Sequence, residues 1–87
     1  MKLLFCMICQ DVVKMDVDPR KCKCGGCEGA YKDDKLHAWY KGDMAIPLGF
    51  ANNTLAAALS SQPDSGMGKS FTAFVIPKEC PTFEKLT

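Results

Sequence analysis

Five of the six cysteines fall within residues 6–27, and thiols clustered at this spacing are the residues most able to do chemistry in this chain. Cys6-Met7-Ile8-Cys9 supplies one pair, and Cys22-Lys23-Cys24-Gly25-Gly26-Cys27 supplies the second from three candidates. Zinc takes four ligands and accepts thiolates at about 2.3 Å, so two knuckles joined by a short arm predict a Zn2+ site. Cys24 and Cys27 have the commoner two-residue spacing, whereas Cys22 and Cys24 are followed by glycine as the last cysteine of a knuckle often is. No histidine lies near, and an all-thiolate set points to a closed structural site rather than a catalytic one with an open position. A redox dithiol would open a helix, but Asp11-Val12-Val13 after Cys9 is strand sequence.

Other residues carry weaker signals. Arg20, Lys21 and Lys23 flank the second knuckle, where they offset thiolate charge or contact phosphate. Gly66-Met67-Gly68-Lys69-Ser70 resembles the end of a phosphate-binding loop, but the glycine required five residues before Gly68 is Pro63. Its glycines still offer free backbone N–H groups, so Gly66, Gly68 and Lys69 are candidate anion contacts. Asn52 and Asn53 open a helical segment whose orphan N–H groups serve either an Asn cap or an anion. His37 is the only histidine and has no catalytic partner legible in sequence. Trp39, Tyr31, Tyr40 and Phe50 suit a small core better than a base-stacking surface. Cys80, far from the cluster, reads as a buried free thiol.

These groups must be positioned by a short chain. With 87 residues the protein is one domain with a marginal core that a metal would staple. Eleven basic against ten acidic residues give a net charge of +1, without the basic excess of a dedicated nucleic-acid binder. No apolar run approaches the ~20 residues of a membrane span, and Gln10 and Asp11 end the N-terminal apolar run too early for a secretory signal. A reducing cytoplasm is therefore expected, where clustered cysteines are more often ligands than disulfides.

Strands are expected over 11–17, 28–32, 36–41, 44–50 and 70–76, with Pro47 marking an edge or bulge. Lys41-Gly42-Asp43 predicts a hairpin joining the third and fourth of these. Residues 52–59 predict the one helix, covering the sheet. The fold expected is α+β: a zinc ribbon over residues 1–33, an antiparallel β-meander with one helix over 34–77, and a loosely packed tail over 78–87.

Phe5 to Val12, Arg20 to Gly25, Gly29 to Asp33 and Ala45 to Asn52 together resemble a family of small zinc-ribbon proteins from bacteria and phages. The resemblance covers residues 3–53 and extends to Phe71–Ile76. It implies a second pair of the form Cys-x-Cys-Gly, hence Cys6, Cys9, Cys22 and Cys24 as ligands with Cys27 the alternative fourth. It implies no particular activity. The expected function is a non-enzymatic, zinc-binding protein-interaction module, such as a phage-encoded inhibitor of a host protein. The alternatives are a nucleic-acid-binding ribbon and a nucleotide or small-ligand binder, with a homo-oligomer building the pocket.

Overall fold

The computed structural model describes residues 1–86. Its elements run β1 (Lys2–Cys6), β2 (Val12–Lys14), β3 (Arg20–Lys21), β4 (Glu28–Tyr31), β5 (Ala38–Lys41), β6 (Ala45–Phe50), α1 (Asn52–Ser60), β7 (Ala73–Val75) and β8 (Phe83–Lys85). They form two four-stranded sheets, ordered β2-β1-β6-β7 and β3-β4-β5-β8. All pairs are antiparallel except β5 with β8. The architecture is thus small α+β, as expected, but a single meander is not what is built.

Cross-strand register explains the core. Val13, Leu4 and Pro47 lie in one row of the first sheet, so their side chains share a face. Gly29 and Tyr40 lie in one row of the second. The sheets meet where Leu4 approaches Gly29. A Cβ at Gly29 would lie 3.0 Å from Leu4 Cδ1, 2.7 Å from Met15 Sδ and 2.8 Å from the Trp39 carbonyl oxygen. Glycine is required there by space. Leu4, Cys6, Met15, Ala38, Tyr40 and Phe83 are nearly fully buried around this contact.

Four expectations need correction. The 36–41 and 44–50 strands do not form a hairpin, because β6 leaves the second sheet and pairs with β1 and β7 in the first. Gly42 makes the crossing possible: its φ is +124°, and a Cβ there would lie 2.5 Å from the Gly26 carbonyl oxygen. Pro47 sits in an interior strand, not at an edge or bulge. Its carbonyl accepts from the Ile76 N–H at 2.9 Å, just past the Leu48–Val75 pair that ends the β7 ladder. Since N–H and C=O of one strand residue face the same side, the missing proline N–H falls where that ladder has run out.

The tail is not loose. β8 adds parallel to β5, and Phe83 is fully buried with its ring edge-on to Tyr40 at 5.0 Å. Nor does α1 cover a sheet, for none of its residues is buried. It is tethered at its start, where the Ala51 N–H donates to the Thr72 carbonyl and the Thr72 N–H donates to Thr54 Oγ1. No described helix is long and apolar enough to cross a membrane.

Candidate metal centre

The first knuckle follows directly from β1. Cys6 is its last residue, and the chain reverses so that the Gln10 N–H donates to the Cys6 carbonyl at 2.7 Å. Gln10 takes φ +60° to close this turn. The second knuckle leaves β3. The Cys22 N–H donates to the Cys27 carbonyl at 3.0 Å and the Gly25 N–H to the Cys22 carbonyl at 3.0 Å, with Gly25 at φ +77°. The Lys23 N–H donates to Asp11 Oδ2 at 2.9 Å, which ties one knuckle to the other.

This brings Cys6, Cys9, Cys22 and Cys24 together, their four sulfurs all within 4.8 Å of one another. Cys24 Sγ is 3.5 Å from Cys22 Sγ and 3.7 Å from Cys6 Sγ. A regular tetrahedron with arms of about 2.3 Å has edges of about 3.8 Å, so these separations suit four thiolates around one ion. All six cysteines are free thiols. The spacing fits a metal far better than the ~2.05 Å of a disulfide.

Backbone donors prepare the sulfurs. The Cys9 N–H, with help from the Ile8 N–H, outweighs burial and draws the Cys6 thiol down to about 6. Burial opposes ionisation of Cys22, but the Cys27 N–H, donated to its sulfur at 3.2 Å, and the Cys24 thiol outweigh it and lower it too. The Gly26 N–H reaches Cys24 Sγ at 3.4 Å, yet the neighbouring Cys22 and Cys9 sulfurs push that thiol up to about 12. Like charges this close oppose one another's ionisation. A divalent cation among them removes that penalty, which is the physical case for a metal in this set.

Cys27 stands beside the set rather than in it. Its side chain is buried, and burial, then the Cys6 sulfur, pushes its thiol up to about 12. Its backbone serves the centre through the bond to Cys22. Three contributors were not legible as such in sequence: Asp11, the Gly26 N–H, and Gly42, whose Cβ would meet the Gly26 carbonyl and Cys27 Sγ. The short turn between Cys24 and Cys27 was the local trace of the Gly26 donor alone.

The centre also has a place in the architecture. Cys6 ends a strand of the first sheet, and Cys22 follows a strand of the second. An ion held by both would join the two layers at one end.

The remaining candidates lie apart from it or from one another. Arg20 and Lys21 form the exposed edge strand β3, with Lys23 exposed beyond it. Asn52 does not cap the helix: Ala51 holds the cap position without a side-chain bond, and Asn52 Oδ1 accepts from the Met1 ammonium at 2.9 Å. Asn53 is exposed beside it. Gly66 is exposed at φ +82°, while Gly68 and Lys69 border a groove of about 250 Å³ along the flank of α1 with Leu55, Leu59 and Phe71. The structure therefore does not assemble one anion site from the Asn pair and the glycine loop. His37 Nδ1 pairs with Asp34 Oδ2. Tyr40 is buried and offers no ring face for a base to stack on, whereas Trp39 is half-buried with the Lys41 ammonium 5.4 Å from its ring centre. Cys80 is half-buried, its sulfur 3.3 Å from Thr82 Oγ1. Compared with protein-family models, with curated proteins and with solved structures, the chain has no match.

Proposed function

We propose that the protein is a small non-enzymatic module of the cytoplasm whose zinc ribbon staples two sheets and which acts by binding a protein partner. The observation that carries this reading is the four-thiol cluster. Its sulfurs come from two knuckles on different sheets. Cys6, Cys9, Cys22 and Cys24 would hold the ion and complete its coordination, leaving no position for substrate. When bound, zinc supplies charge neutralisation and a cross-link. A structural site of this kind contributes on the order of 10 kcal/mol of apparent folding energy, enough to decide whether so small a core folds.

The test is metal content and chelation. The purified chain is expected to carry one zinc, and a strong chelator is expected to collapse its amide dispersion. A metal-free chain with native dispersion overturns the structural role. Affinity capture from the native host should return a stoichiometric protein. Binding of mixed oligonucleotides that weakens steeply with salt, and is lost on reversing Arg20, Lys21 and Lys23, would transfer the reading to nucleic acid through the exposed β3 edge.

A further inference from the structure

Away from the thiols, a cleft of about 410 Å³ lies on the seam between the two sheets. That volume falls within the range that small-molecule sites occupy. Tyr40 and Lys85 border it from the second sheet, and Pro47, Val75 and Ile76 border it from the first. Tyr40 and Lys85 are register partners of β5 and β8, so their side chains leave the sheet on the same face. Lys78 and Asp43 also border it.

The second observation is the Tyr40 hydroxyl. Tyr40 is 2% exposed, yet its hydroxyl has no hydrogen-bond partner among the described residues. No fully enclosed side-chain oxygen lacks a partner among the described residues. The Tyr40 oxygen therefore reaches open space, and Tyr40 borders this cleft. A phenol is already a donor at neutral pH, and burial raises this one further above its ordinary value.

The charges select the ligand. The two ion pairs among the described residues are Lys32–Glu84 and His37–Asp34, so Lys78 and Lys85 are not committed to any carboxylate of the described residues. Two cations and a phenol donor against one carboxylate, over an apolar floor, complement a single negative charge on an apolar body. A second negative charge would meet Asp43. We propose that this cleft binds a small monocarboxylate with an apolar body, its carboxylate taken by Lys85, Lys78 and the Tyr40 hydroxyl, and its body laid against Pro47, Val75 and Ile76.

The probe is 4-phenylbutyrate, titrated into the full chain as purified and followed by amide chemical shifts. Saturable shifts are expected at Ile46, Val75, Ile76 and Lys85, and not at the knuckles. The neutral amide of the probe should bind about tenfold more weakly, the value of one charge-assisted contact. Tyr40→Phe keeps the ring packing and should weaken binding several-fold, and the exposed Lys85→Gln should do the same. No saturable shift at millimolar probe overturns the proposal, as does equal or tighter binding of the neutral amide or of 4-phenylbutylamine. So does unchanged affinity in a Tyr40→Phe, Lys85→Gln double variant whose amide spectrum remains native. Zinc content plays no part in these readouts.

Discussion

Cys24 is the candidate ligand whose replacement reads most cleanly, because it is the exposed member of the four and its loss opens no cavity. Cys24→Ser is expected to weaken zinc binding by orders of magnitude, measured by competition with a chromophoric chelator, and to lower stability through the lost ion rather than through lost packing. Cys27→Ala should behave oppositely. It should retain one zinc and lose about 1 kcal/mol of stability in denaturant, because its sulfur is packed rather than ligating. A variant at Cys27 that loses the metal would move the fourth ligand there. Asp34 gives a different residue-scale test. The N–H groups of Leu36 and His37, each at 2.9 Å, and the His37 ring draw its carboxyl down to about 2. Folding thus favours the charged form. Its contribution is whole above the ordinary value of 3.8 and fades as pH falls through about 2. Carboxyl carbon shifts should show that low midpoint, and a midpoint near 4 would remove the turn's acid sensitivity. The thiol cluster was legible in the sequence because its pairs are local: Cys6 and Cys9, then Cys22 and Cys24, are each set by a few intervening residues. The Asn52 cap was misread because its real partner, the Met1 ammonium, lies far away along the chain.

At the scale of elements, two glycines separate close packing from mere proximity. Gly29→Ala would drive a methyl into backbone at Trp39 and into two core side chains, and should cost about 1–3 kcal/mol. Gly49→Ala meets only the Phe74 ring, which is half exposed and can swing away, so it should cost less in the same urea titration. Equal losses would mean that Phe74 is as fixed as the sheet. Phe83→Ala should cost about 3–5 kcal/mol, since the ring is fully enclosed against Tyr40. That strand was missed because Pro77 and Pro81 bracket a polar stretch and three residues carry no readable alternation. The hairpin error has a related cause. Lys41-Gly42-Asp43 does encode a turn, but a turn does not say which sheet receives the next strand. β1 has a buried row at Leu4 and Cys6 that Pro47 and Ala45 complete, while the free edge of β5 is taken by β8. Long-range competition of this kind leaves no local mark.

The whole molecule is longer than its chain length implies. Its radius of gyration is 14.1 Å, against about 12 Å for a compact domain of this size. The extents of 44 × 28 × 23 Å place the excess along one axis. The helix and the exposed segment 61–70 bury almost nothing, and their amides should exchange by local opening while those of β1 and β6 exchange only on global unfolding. Hydrogen exchange with uniform protection would contradict that division. The parallel pairing of β8 has one more consequence, in the time order of synthesis. The four candidate zinc ligands lie within residues 6–24, whereas Phe83 is the last buried residue among those described. Synthesis therefore delivers the thiols before the strand that completes the second sheet, and an ion captured by them would be a cross-link in place before that part of the core can form.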